Sequence, residues 1–410
     1  MNGCAECQAM SRRGFLGVLG AAAATPLLAT QVGWAAPGYT GDVLVVLSFR
    51  GGFDGLSAVP PVGDPNYQTL RPSIAVPVNR TVPLDSMFGL NVALNGLKPL
   101  WDAGDLAVVT ACGMSSPNRS HFSAMDEIER AAPGSGVRTG WLDRTLGSWN
   151  ATGAFDGVQI GWGGMPMAFS GPFDELGFGR LDDFALSGAW NAAERDKWVG
   201  ALTTLHDAAP THVKGPALTT LGALTTAAAL GSYTPAVPYP DSDLGRSLQE
   251  AAHIIKAGIG VRVVTIDEGD WDMHAGLGRP ESGGWMFDKL RDVGDSIGAF
   301  FADLGSAAQG VTLVTLSEFG RRVEENDSGG VDHGWGNVMF VAGGNVNGGE
   351  VHGTWLGLND QGMYDGDVKA TTDYRAVLAD ILANRCDAGD DVLQSVFPGF
   401  TGAHLGVTNP

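Results

Sequence analysis

Apolar residues fall in short, almost unbroken runs along this chain. The clearest cover 42–48, 106–111, 261–267, 311–316 and 338–341, each rich in Val, Leu or Ile. Runs of this length that end in Gly or polar residues read as strands covered on both faces, and therefore as a parallel sheet. Between them, apolar positions recur at helical spacing over 94–103, 121–131, 242–257, 284–304 and 372–383. Strands alternating with helices predict an α/β sandwich, a mostly parallel central sheet flanked by helices and joined by right-handed crossovers. The stretch 169–239 breaks the alternation. It is rich in Ala, Gly, Thr and Leu with scattered Pro, and predicts a helical insertion or cap.

The first residues follow another pattern. Ser11-Arg-Arg-Gly-Phe-Leu16 leads into an apolar run over 17–30, interrupted by Pro26, and then Ala35-Ala36. The run is shorter than the ~20 residues a spanning helix needs. A charged start, a short apolar segment and small residues at the exit predict a leader over 1–36. The paired arginines point to the twin-arginine route. The body of the protein, 37–410, is then expected in the periplasm, at the cell surface or outside the cell. No second long apolar segment follows, so no membrane span is expected after the leader is removed.

Charge narrows the partners. The net charge is −20, from 25 basic and 45 acidic residues. That balance argues against nucleic acid and anionic membrane as partners. Cys4 and Cys7 fall in the leader, which leaves Cys112 and Cys386. One disulfide and two buried thiols are both open.

In an open parallel sheet, ligands gather beyond the carboxyl ends of the strands, so the residues after each strand matter most. The first strand runs into Arg50-Gly-Gly-Phe-Asp54-Gly. Its Gly pair can point N–H groups at an anion, and Asp54 can hold a hard cation or cap the turn. The second leads to Ser115-Ser-Pro-Asn-Arg119-Ser120-His121. Ser120 or Asn118 is a sound helix N-cap, and a hydroxyl at a helix N-terminus is also placed to attack an anionic ester beside Arg119. After the third comes Asp267-Glu-Gly-Asp-Trp-Asp272-Met-His274, where Asp272 and His274 alternate and so point the same way in extended chain. The fourth gives Ser317-Glu318-Phe-Gly-Arg321-Arg322, and Asp332-His333-Gly precedes the fifth. Arg321 suits an anion; pairing of Arg321 and Arg322 with Glu324 and Glu325 is the plainer alternative. Together, Asp54, Ser120, His121, Asp272, His274, Glu318, Asp332 and His333 form a set suited to a divalent metal (zinc, calcium, magnesium or manganese) and an anionic ester substrate.

These motifs, with Gly140-Trp-Leu142 and Asp332-His-Gly-Trp-Gly-Asn337, resemble the exported bacterial family called domain of unknown function 1501. That family in turn resembles the alkaline phosphatase and sulfatase superfamily. The resemblance implies an alkaline-phosphatase-like sandwich and one or two metals that position a hydroxyl nucleophile. It matches Asp54, Asp272, His274 and His333 to metal ligands, puts Glu318 where the superfamily has Asp, and places Ser120 near the nucleophile. Phe319 stands in place of a ligand His, which argues against a full two-zinc site. Ser115-Ser-Pro-Asn-Arg119 also resembles a sulfatase signature and leaves Ser115 as a rival nucleophile. Two functions follow: a metal-dependent hydrolase of phosphate or sulfate esters, or a non-catalytic binding protein that acts with a secreted partner.

Overall fold

The computed structural model of the protein describes residues 41–161 and 163–410, so the leader expected over 1–36 lies outside the described residues. Among the described residues nine strands form one sheet. In chain order they are β1 (Val43–Phe49), β2 (Leu106–Gly113), β3 (Gly157–Ile160), β4 (Leu176–Phe178), β5 (Val263–Glu268), β6 (Val311–Leu316), β7 (Asn337–Gly343), β8 (Val351–His352) and β9 (Thr372–Asp373). Their spatial order is β8-β2-β7-β6-β1-β5-β3-β4, with β9 also paired to β2.

The first strand takes the middle of the sheet. It pairs in parallel with β5 on one side (Leu44 opposite Val263) and β6 on the other (Val43 opposite Val311). Its two faces are both covered. Leu44 and Val46 share a core with Ala107, Val109, Val314, Leu316, Met339 and Val341, under helices α1 (His121–Arg130), α2 (Trp141–Ser148) and α7 (Tyr374–Arg385). Side chains alternate across a strand, so Val45 and Leu47, both wholly buried, face the other layer. There α5 (Asp243–Lys256) packs against β5 and against α6 (Trp285–Leu304). The fold is therefore α/β, a mostly parallel sheet between helical layers. Burial on both faces explains the unbroken apolar run of β1.

One strand departs from the expected direction. The run 338–341 was expected to lie parallel with the rest, but β7 pairs antiparallel with both β2 and β6. A strand buried on both faces has the same composition in either direction, so periodicity cannot report its sense. The reversal matters for the site, because it places the residues entering β7 at the carboxyl ends of its neighbours.

Residues Leu181–Ser232 form a compact unit of their own. It holds α3 (Ala192–Asp207) and α4 (Thr211–Leu230). Asn191 Oδ1 accepts from the Glu194 N–H (3.0 Å) at the start of α3, while Glu194 Oε2 accepts from the Trp190 N–H (2.8 Å). The first bond satisfies a donor the opening turn leaves open, and the second ties the residue before the cap to the helix. The stretch expected to be helical from 169 begins instead with β4, which extends the sheet beyond β3.

Just before β4, burial, with the charges of Asp143 and Asp174 adding to it, pushes the Glu175 carboxyl up to about 8. The unfolded chain gives up this proton near pH 4.5 and the folded chain only near 8, so stability falls as pH rises across that window. Glu175→Gln should abolish the fall and melt higher than the parent at pH 8, by roughly 1–2 kcal/mol after allowance for partial exposure. Parallel melts at pH 4 and pH 8 check this, and equal differences at both would refute it.

Cys112 and Cys386 are both buried. Among the described residues no helix is long and apolar enough to cross a membrane.

Candidate metal centre

Four loops converge at the carboxyl ends of β1, β2, β5 and β6. The β2 loop reaches α1, whose first residue is His121. Before that loop, β2 carries an irregular register between Val109 and Cys112, with Ala111 in the left-handed region at φ 48°. Bulges of this kind turn a strand end and recur beside functional sites.

The loop after β5 is anchored by Trp271. Its ring is buried against Phe49 (5.2 Å between centroids) and Phe53 (4.8 Å). This leaves Asp272 and His274 on the open side, and the His274 Nε2 lies 3.0 Å from Asp272 Oδ1. The alternation in sequence does bring the two together. Gly51 makes the approach feasible: at φ +115° it passes so close that a Cβ would lie 2.7 Å from the Asp272 backbone nitrogen.

Three imidazoles face Asp272, and each is turned by an acceptor at its Nδ1. His121 Nδ1 meets Glu318 Oε1 at 2.9 Å, and that oxygen also accepts the Gly51 N–H. His274 Nδ1 meets Asp332 Oδ1 at 2.7 Å, where Asn326 donates as well. His333 Nδ1 meets the Arg119 carbonyl oxygen at 2.8 Å. A carbonyl or carboxylate can only accept, so these partners favour the proton of a neutral ring on Nδ1; Asp272, also an acceptor, faces each Nε2, and a cation among the Nε2 atoms would take the place of any proton there. The three Nε2 atoms converge. His121 Nε2 lies 3.4 Å from Asp272 Oδ2, and His333 Nε2 lies 3.1 Å from Asp272 Oδ1. His274 and His333 bring their Nε2 atoms to 3.0 Å of each other, and the buried His121 Nε2 has no hydrogen-bond partner.

Lone pairs that face each other across 3 Å repel unless a proton or a cation lies among them. His121, Asp272 and His333 offer ligand atoms all within 4.8 Å of one another. An imidazole whose Nδ1–H is held by a carboxylate or carbonyl is the arrangement in which histidine presents Nε2 to a metal. The donor set thus fits a divalent cation. Burial works against the charge on Asp272, but hydrogen bonds from Arg321 and His333, with the charges of Arg321 and His121, outweigh it and push the carboxyl down to about 2. The His274 hydrogen bond holds Asp332 below the usual carboxylate range.

The other expected residues lie around this set in different roles. Glu318 and Asp332 orient imidazoles. Asp54 is buried and engaged by Arg71, whose Nη1 and Nη2 donate to its two oxygens at 2.6 and 2.9 Å. Arg321, also buried, donates to the carbonyls of Gly51, Gly52, Trp271 and Val331 and to Asp272, so it knits the loops instead of facing solvent. Arg119 is held by Asp365 and Asp367. The expected anion nest at Gly51-Gly52 is likewise occupied from within, by Glu318. Phe319 fills the space over Gly52 and lies against the rings of His121 (4.9 Å) and His333 (4.7 Å). Ser120 takes the N-cap position of α1 and is exposed, yet its hydroxyl caps nothing there. Sequence reasoning missed Arg71, Asp365, Asp367 and Asn326; the Asp365-Gly366 turn was the one local sign available.

Among solved structures the chain is similar to the PsFucS1 sulfatase from Pseudoalteromonas sp., at 14% identity and a TM-score of 0.40 over 90% of this chain and 73% of that one. It is also similar to a protein in the alkaline phosphatase superfamily from Vibrio parahaemolyticus (10% identity, TM-score 0.35, 82% and 70% covered). A third is the C-terminal periplasmic domain of EcEptC from Escherichia coli in complex with Zn (9%, 0.37, 88% and 88%). No curated protein matches the chain. Over residues 247–408, which carry Trp271-Asp-Met-His, Ser317-Glu-Phe-Gly-Arg and Asp332-His-Gly-Trp-Gly-Asn, the chain matches the model of the family described as Protein of unknown function (DUF1501), the family its motifs resemble.

Proposed function

We propose that this chain is an exported, metal-dependent hydrolase of phosphate or sulfate esters. The observation that carries the reading is the convergence of three imidazole Nε2 atoms on Asp272. His121, His274, His333 and Asp272 are the residues that would hold the cation. Three imidazole nitrogens and one carboxylate favour zinc over calcium or magnesium, which take oxygen ligands. A cation held there would supply Lewis acidity at an ester oxygen.

The chain's own residues do the rest. Ser120 is the attacking hydroxyl in this reading, one residue from His121 and at the positive end of a ten-residue helix. Substrate charge is met at that helix end, since Arg321 and Arg119 are committed elsewhere. Export rests on the leader motif and the acidic surface.

Metal analysis of the mature protein, with turnover of aryl phosphate, phosphodiester and sulfate substrates, tests the proposal. Ser120→Ala should lose turnover by about a thousand-fold while retaining its metal. Undiminished turnover would move the nucleophile to Ser115 or elsewhere. A second reading, a non-catalytic binding protein with a secreted partner, is favoured by the engagement of Asp54, Arg119 and Arg321. Bound metal with no turnover of any ester, and a partner that co-purifies from the native host, would establish it in place of the first.

A further inference from the structure

The three imidazoles are not held alike. His121 and His274 are turned by side-chain carboxylates, but His333 is turned by the backbone carbonyl of Arg119. That carbonyl sits in the loop between β2 and α1, outside any ladder. Its position depends on whatever fixes residue 119.

The guanidinium of Arg119 is what the fold grips. The ladder of Met363–Tyr364 with Asp367–Val368 closes over Asp365 and Gly366, both at positive φ (50° and 83°), the geometry of a tight two-residue hairpin turn. Arg119 Nε and Nη2 both donate to Asp367 Oδ2, Nη1 donates to Asp365 Oδ2 (2.9 Å) and Nη2 to the Asp365 carbonyl (3.3 Å). Asp367 is wholly buried, and its second oxygen has no hydrogen-bond partner. A buried carboxylate half matched in this way is costly and adds little to the core. The same hairpin also holds the segment that follows His333, because the Val368 carbonyl accepts the Gly336 N–H at 2.8 Å.

We propose that Asp367 is a positioning residue for the metal centre: through the Arg119 fork it sets the carbonyl that aims His333 Nε2 at Asp272. His121 lies two residues beyond Arg119, so one clamp steadies two of the three imidazoles. The inference rests on the reading of these imidazoles as metal ligands. It gives Arg119 a task that lysine cannot perform, since an ammonium does not reach both carboxylates in a fixed fork.

The test uses Asp367→Asn, which keeps shape and removes charge, and Arg119→Lys, which keeps charge and removes the fork. Ring-nitrogen NMR on histidine-labelled, metal-free protein reads the tautomer of each ligand. Zinc affinity is read by competition with a chelator, and unfolding of the metal-free form is recorded beside it. Both variants should lose the single Nδ1–H form at His333 and keep it at His274, and should bind zinc about 10- to 100-fold more weakly. A lowered melting point with the His333 tautomer and zinc affinity unchanged would reduce Asp367 to a structural role and overturn the proposal. Should the parent bind no zinc, the metal reading fails by itself, and the tautomers of the metal-free proteins still decide whether Asp367 positions His333.

Discussion

Asp272→Asn should lower divalent-metal affinity by at least about 100-fold, the scale expected when the charged member of a four-ligand set is lost. Asparagine keeps an oxygen for the Arg321 hydrogen bond, so the loops that Arg321 ties together should remain in place. What disappears is the negative charge on which three imidazoles converge. Two measurements separate these effects. Metal content should fall from about one equivalent to near zero, and the rise in melting temperature on adding zinc, a direct consequence of ligand binding to the native state, should vanish. The metal-free melting points of parent and variant should lie close together. Equal metal content in both proteins would remove Asp272 from the centre.

The second large effect lies below the site. Arg71→Met should destabilise the protein by about 3–5 kcal/mol, because it leaves the Asp54 carboxylate buried without its counter-charge. Asp54 and Arg71 are 2% and 0% exposed at their side chains, and Arg71 also donates to the carbonyls of Arg322 and Val323 at 2.8 Å. The double variant Asp54→Leu, Arg71→Met removes both charges and should recover part of the loss, as seen by urea unfolding. It also decides the role of Asp54. If the double variant keeps its metal, Asp54 acts only as the partner of Arg71. If the metal is lost with the fold intact, Asp54 belongs to the centre after all.

Much of the site was legible because its residues lie in short loops that follow apolar strands, and the loop Trp271-Asp-Met-His carries its meaning in its alternation. Division of labour among the acidic residues was not legible. Asp332 and Glu318 look like ligands in sequence, and their role as Nδ1 acceptors follows only from where His274 and His121 stand in space. Asp54 has no local sign of Arg71, which reaches it from just beyond a separate short helix. The sense of β7 was equally hidden, although it accounts for Asp332-His333 arriving at the right end of the sheet.

The central place of β1 has a consequence for how the chain is made. Its partners are β5 and β6, with Leu44 beside Val263 and Val43 beside Val311. The most apolar strand therefore leaves the ribosome first and has no neighbour until most of the chain has followed it. Stepwise assembly from the amino end is closed to such a topology, and folding waits on contacts of long sequence separation, which form slowly. In that interval Val43–Phe49 is an unpaired, uncharged β segment, the kind most prone to self-association. A holdase that covers this segment during synthesis should raise the yield of native protein more than any stabilisation of the finished fold.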